Sequence, residues 1–308
     1  VVTLSPRVTR LRAPNPSLMT LDGTNGYLVD AGHGRMLAID PGPAIAAHVE
    51  AFVAAARAHD AQIAAILITH GHPDHVPAAA PLADATGAPV YAHPAAVFPH
   101  DRVLADGEDL RIGDVTMHTV HAPGHAADHL IFALRNEDAL FTGDVIIGTG
   151  TVVVAPPQGD MRAYQRTLHR LRDAFATSRV IYGGHGPERT DVAPVIDAYI
   201  AHRNAREAAL LAALAHGTAT IPELVAAIYH DVDRRVWPAA ARQLLAYLIA
   251  LEREGRVRAE PLDTLLTDEQ RALLDPDLRR LSDDARAIAR DELGYGDAPP
   301  QLIAYTLR

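Results

Sequence analysis

Residues 69–75 read Thr-His-Gly-His-Pro-Asp-His, which puts four metal-binding side chains (His70, His72, Asp74 and His75) within six positions. The residues before them, Ile63-Ala64-Ala65-Ile66-Leu67-Ile68, form a short unbroken apolar run, the pattern of a strand covered on both faces. A loop leaving such a strand takes its position from the sheet and can hold side chains rigidly. In extended backbone His70 and His72 leave on the same side. Pro73 then fixes φ and turns the chain, directing Asp74 and His75 toward a second point. One ion rarely takes four ligands from so short a stretch without strain, whereas two neighbouring ions can share them. The chain is thereby constrained to a doubly covered sheet with a metal-holding loop at a strand end.

The chain contains no cysteine, so disulfides and thiolate ligation are excluded and any metal is held by nitrogen and oxygen. The formal net charge is −10, and no region is basic: residues 1–205 carry 15 Arg against 21 acids, 206–260 carry 7 against 7, and 261–308 carry 6 against 10. That balance disfavours duplex DNA as a partner. No apolar stretch approaches the length of a membrane span and no signal-peptide pattern is present, so the expectation is a cytoplasmic protein with no membrane partner.

Gly26–Val29 and Met36–Ile39 read as paired strands, followed by an alanine-rich helix over Ala44–Ala58. After the His/Asp loop come a helix near Val76–Ala85 and strands near Val90–Ala92, Val115–Val120, Leu130–Leu134, Ala139–Phe141 and Val180–Tyr182, with a helix over Met161–Phe175. Strands in pairs, then strands alternating with helices, indicate an α/β fold of two sheets covered by helices, occupying residues 1–205. Residues 206–260 change character. Thr220-Ile221-Pro222-Glu223 is a capping box opening a helix to Tyr229. Trp237-Pro238 opens another helix that ends at Gly255, and Arg256–Arg258 is suited to a short strand. This order is winged-helix-like. Residues 261–308 form a third part with helices expected over Thr267–Leu274 and Ser282–Leu293, a packed or dimerising appendage compatible with a homo-oligomer.

Three later sites repeat the character of the first loop. Ala122-Pro123-Gly124-His125, Phe141-Thr142-Gly143-Asp144 and Gly183-Gly184-His185-Gly186 each place a ligand type at the end of an apolar run. With H-x-H-x-D-H, then a histidine, a Gly-Asp turn and a final histidine in that order, the chain resembles the metallo-β-lactamase superfamily. The resemblance implies a four-layer αββα sandwich with a dinuclear zinc site along one edge. Carried over by position, one zinc takes His70, His72 and His125, the other takes Asp74, His75 and His185, and Asp144 bridges them. Iron or manganese also suits such donors. Gly23-Thr24-Asn25-Gly26-Tyr27, together with Ala201-His202-Arg203-Asn204 leading into the winged-helix-like module, resembles the lactamase-β-like endoribonuclease branch. By that analogy Asn25 and Tyr27 line the cleft and His202 and Arg203 meet an anionic substrate. Asp128 and His129, just after His125, suit a role in orienting ligand imidazoles.

The chemistry these residues permit is hydrolysis. A paired zinc site bridges a hydroxide and polarises the electrophile, with Asp74 orienting the nucleophile and moving a proton. Two dications against Asp74, Asp144 and a hydroxide leave about +1 in the cleft, enough to attract a carboxylate or phosphodiester. The substrate expectation stands open between single-stranded RNA and a small ester, thioester or lactone. An aspartate at 144, where dedicated β-lactamases of the superfamily carry cysteine or serine, leaves β-lactam turnover as a weak side activity. The alternative is a metal-containing winged-helix regulator or ligand sensor without catalysis.

Overall fold

The computed structural model describes residues 1–264, 266–276, 286–287, 290, 295 and 302–308. A first sheet of seven strands runs in chain order: β1 (Val2–Thr3), β2 (Val8–Arg12), β3 (Asn25–Gly32), β4 (Arg35–Ile39), β5 (Gln62–Leu67), β6 (Val90–Ala92) and β7 (Arg102–Val103). Neighbours are antiparallel as far as β4 and parallel from there on. A second, five-stranded sheet holds β8 (Asp109–Ile112), β9 (Val115–His121), β10 (Leu130–Leu134), β11 (Ala139–Gly143) and β12 (Val180–Gly183). Only its β11–β12 pair is parallel.

The alternation of side chains along each strand explains why the two sheets stack. Tyr27 and Val29 of β3 face inward to meet Leu37, Leu67, Phe132 and Phe141, while Leu28 between them faces outward. On the outer face of the first sheet Leu28, Met36 and Ile66 pack under Phe52 of α1 (Ala46–Ala58) and Leu82 of α2 (Ala79–Thr86). On the outer face of the second, Ile131, Leu140 and Ile181 pack under Tyr164 and Leu168 of α3 (Met161–Phe175) and Ile196 of α4 (Val192–Leu214). Helix, sheet, sheet, helix is the four-layer arrangement the sequence leads one to expect. Both faces of β5 are covered, which is why Ile63–Leu67 carries no polar residue.

The outer-face core continues without interruption into the C-terminal module. There β13 (Ala219–Thr220), α5 (Ile221–Ile228), α6 (Trp237–Arg253) and β14 (Val257–Pro261) follow in order, then α7 (Asp268–Leu274) and β15 (Ile303–Leu307). Thr220 and Glu223 form the capping box at the start of α5. Two findings differ from the sequence reading. The 23-residue α4 passes through positions 205 and 206 unbroken, so the division suggested at that point falls inside a helix. And β15 is the central strand of a three-stranded sheet, order β13-β15-β14, so Ile303–Leu307 belongs to the module's own structure. The helix expected over Ser282–Leu293 lies largely outside the described residues.

Candidate metal centre

All seven residues predicted as ligands arrive at one place because each stands just past, or at the end of, a strand of the two facing sheets. His70, His72, Asp74 and His75 follow β5, His125 follows β9, Asp144 follows β11 and His185 follows β12. All are buried, Asp144 at 5% exposure. Three groups emerge whose ligand atoms lie within 4.8 Å of one another: His70, His72 and His125; His70, His75 and Asp144; and Asp74, His75 and His185.

Hydrogen bonding at the outer nitrogens fixes what faces inward. Thr69 Oγ1 donates to Asp40 Oδ2 at 2.6 Å, so it accepts from His70 Nδ1 at 2.9 Å, leaving the His70 Nε2 lone pair free. His125 Nδ1 donates to the Val153 carbonyl at 2.9 Å, which likewise turns an Nε2 lone pair inward. His72 Nδ1 stands 3.0 Å from each of these two nitrogens. In the second group, Asp40 Oδ2 accepts from His75 Nδ1 at 2.9 Å. His75 Nε2 then faces Asp74 Oδ2 at 3.5 Å and Asp144 Oδ1 at 3.6 Å. His185 Nε2 lies 3.3 Å from Asp74 Oδ2 and 3.2 Å from Asp144 Oδ2. Asp144 thus turns Oδ1 toward His75 and Oδ2 toward His185, with His125 Nε2 3.8 Å from the same Oδ2.

The electrostatics follow from burial acting against neighbouring charge. Desolvation drives the His70, His72 and His125 imidazoles below their ordinary range, so they are neutral. Burial pushes Asp74 and Asp144 upward, but the imidazoles of His75 and His185 outweigh it and hold both carboxyls below the usual carboxylate range. Burial also opposes charge on His75, yet Asp74, Asp144 and Asp40 together lift it to about 9.

The remaining predicted residues sit around the cage in different ways. Asn25 Nδ2 donates to the carbonyls of Gly183 (3.1 Å) and Gly186 (2.8 Å), and Tyr27 Oη donates to Gly183 at 2.7 Å. Both are buried and grip the His185 loop from behind, where the analogy had them line the cleft. A bridge between Thr24 and His185 completes that grip. Asp128 is buried beside Gly71, between two of the ligand histidines. His129 accepts from the Asp144 amide at 3.1 Å and stacks on His70 at 4.6 Å. Arg203 is 1% exposed, and its guanidinium is spent on Val152 and Gln243, so it does not present a charge to a substrate. His202, half-buried beside it on α4, has burial and the Arg203 charge pulling its imidazole down to about 4, and no bond among the described residues ties it to the cage.

Asp40 was not singled out by the sequence, and Thr24 was noted only within the Gly23–Tyr27 segment, without a role of its own. Asp40 occupies the left-handed region at φ 45° and serves Thr69 and His75 together. Thr24 Oγ1 donates to Asp74 Oδ2 at 2.9 Å. The available signal for Asp40 was its place after Ile39, at a strand end like the candidate ligands themselves.

Among the described residues no helix is long and apolar enough to cross a membrane. Residues 19–185 match the Metallo-beta-lactamase superfamily, and residues 220–263 match the Beta-lactamase associated winged helix domain. The chain is 32% identical over 282 residues to the Beta-lactamase-like protein 2 homolog of Drosophila melanogaster, covering 84% of this chain and 92% of that one. It is 33% identical over 247 residues to the Atrochrysone carboxyl ACP thioesterase of Aspergillus fumigatus, covering 74% and 75%. A metallo-beta-lactamase family protein from Thermus thermophilus has the same fold, with a TM-score of 0.71 at 24% identity over 99% of this chain and 100% of that one. With buried His/Asp groups at the sheet edge and this much shared sequence, the chain belongs to the metallo-β-lactamase superfamily and is a metal-dependent hydrolase with a C-terminal winged-helix domain.

Proposed function

We propose that this protein hydrolyses acyl thioesters at a pair of divalent cations held by His70, His72 and His125 on one side and Asp74, His75 and His185 on the other, with Asp144 between them. The observation that supports this reading is the convergence of His70, His72 and His125, and of Asp74, His75 and His185, into two groups whose ligand atoms each lie within 4.8 Å of one another. The donor set fits. His72 Nδ1 stands 3.0 Å from both His70 Nε2 and His125 Nε2, whose lone pairs are already turned inward, close to the roughly 3.3 Å edge of a tetrahedron with ~2 Å metal–nitrogen bonds. Asp144 Oδ1 and His75 Nε2 are buried without a hydrogen-bond partner, a costly state for polar atoms unless a ligand satisfies them. All-nitrogen-and-oxygen donors suit zinc, iron or manganese.

Bound cations would supply Lewis acidity for the scissile carbonyl and a water acidic enough to attack near neutral pH. The protein's own contribution is orientation and proton movement. Thr24 fixes Asp74 through Oδ2, leaving Oδ1 buried and unpartnered, placed to take a proton from the attacking water and return it to the departing thiol sulfur. Asp40, Thr69 and Val153 lock the ring orientations, so the donors need not reorganise during the reaction.

The thioester class is favoured by the relative named as an ACP thioesterase. The net charge of −10 speaks against single-stranded RNA, whose binding needs a basic groove and stacking platforms. The test is elemental analysis of protein purified without added metal, followed by a panel of acyl thioesters, lactones and labelled single-stranded RNA. About two cations per chain are expected, with thioester turnover abolished by exhaustive chelation and restored by reloading. RNA cleavage without thioester turnover, or turnover untouched by chelation, would overturn the proposal.

A further inference from the structure

Residues 145–160, between Asp144 and α3, include no helix or strand, yet Val145, Ile146, Ile147, Val152, Val154 and Ala155 are buried. A buried irregular segment must find partners for its backbone groups elsewhere. Here they come from the helices behind it. Tyr164 of α3 donates to the Val145 carbonyl at 2.6 Å. Tyr199 of α4 accepts from the Ile147 amide at 3.1 Å. Further along, Arg203 Nη2 donates to the Val152 carbonyl at 2.7 Å, and Gln243 Oε1 of α6 accepts from the Val154 amide at 3.1 Å. The same Gln243 oxygen accepts from Arg203 Nη1 at 3.0 Å.

Between Val152 and Val154 lies the carbonyl that decides the state of His125. A carbonyl oxygen only accepts, so the 2.9 Å contact from His125 Nδ1 requires the proton on Nδ1 and the lone pair on Nε2. That lone pair faces His72 at 3.0 Å. We infer that Gln243 and Arg203 are positioning residues for His125: Gln243 of the winged-helix domain and Arg203 of α4 clamp the backbone on either side of Val153 and so select the His125 tautomer and ring orientation that the cage requires.

Three features make the clamp specific. Arg203 is 1% exposed and forms no salt bridge with a carboxylate among the described residues; its charge is balanced by the carbonyl of Val152, the amide oxygen of Gln243 and the ring of Tyr164, 5.0 Å away. Retaining a buried cation on such partners is costly, so its geometry is closely determined. Gln243 receives two donors on one oxygen, which settles the orientation of its amide. And α6 belongs to the module that carries β13, β14 and β15, not to either sheet that supplies ligands. The module therefore reaches the cage through hydrogen bonds and not through a ligand of its own.

The inference rests on the metal-centre reading for its consequence, but its test does not. In the metal-free full-length protein, long-range proton–nitrogen NMR of histidine rings reports the His125 tautomer directly. Wild type is expected to show the Nδ1–H form alone. Gln243→Leu, which removes the shared acceptor, is expected to show a mixture of tautomers and, once loaded, a roughly 10- to 100-fold weaker hold on the cation at His70, His72 and His125, read by chelator competition. Gln243→Glu keeps an acceptor for both donors and is expected to restore the single tautomer. Leu248→Ala, in the core of the same helix, controls for loss of stability and is expected to leave the tautomer unchanged. A single wild-type tautomer in Gln243→Leu, or the same mixture in Leu248→Ala, would overturn the inference. If wild-type protein bound no cation, the proposed function would fail while the tautomer measurement still decided this point.

Discussion

Asp40 shows how much of the cage depends on a residue that touches no reacting atom. One of its oxygens accepts from the Thr69 amide, the other from the Thr69 hydroxyl and His75 Nδ1. Through Thr69 it also sets the His70 ring. Asp40→Ala is therefore expected to weaken cation binding about 10- to 100-fold, the usual cost of losing such an orienting partner, with chelator competition as the measurement. The seven candidate ligands were legible because histidines and aspartates at the ends of apolar runs have few other reasons to recur in that order. Asp40 was not, because Ile39-Asp40-Pro41-Gly42 reads equally well as an ordinary turn. Arg203 misled for a related reason: a lone arginine carries no sequence mark of whether it is buried, and only the packing of α4 against α6 reveals that it is.

Elements differed in how plainly they announced themselves. Strands β5 and β10, covered on both faces, were evident from continuous apolar runs. Strand β2 reads Val-Thr-Arg-Leu-Arg and β8 reads Asp-Leu-Arg-Ile, where one face is polar and the strand is short, so neither stood out. Helix α4 was missed because its buried residues thin out midway, from Val192–Tyr199 to Leu210 and Leu214, as it passes from one packing partner to the next. The β3 strand illustrates what an element does for function. Its Asn25 and Tyr27 side chains both end on the Gly183 carbonyl, holding the turn that precedes His185. Tyr27→Phe leaves that carbonyl with the Asn25 bond, so a loss of about 1 kcal/mol is expected in denaturant unfolding. Asn25→Ala removes three bonds, those to the Gly183 and Gly186 carbonyls and the one Oδ1 accepts from Arg12, and is expected to cost more and to lower metal content as well. Equal effects from the two substitutions would contradict this division of labour.

The winged-helix domain and the sandwich share one apolar core, which makes them a single mechanical unit. Composition alone separates the residues after 261 as an appendage, but strand order cannot be read from a single chain, and β15 proves to lie between β13 and β14. Removing residues 302–308 would strip both neighbours of their pairing partner. The expected result is a lower melting temperature followed through Trp237, the single tryptophan, which opens α6. An unchanged melt would show that β15 contributes little.

Every donor triad takes two residues from the loop after β5 and its third from the opposite sheet: His125, Asp144 or His185. Neither half of the sandwich, folded by itself, owns a full set. A cation captured there acts as a rivet between the two layers, so its affinity and the docking of the layers are one thermodynamic quantity. Whatever pries the layers apart also empties the enzyme.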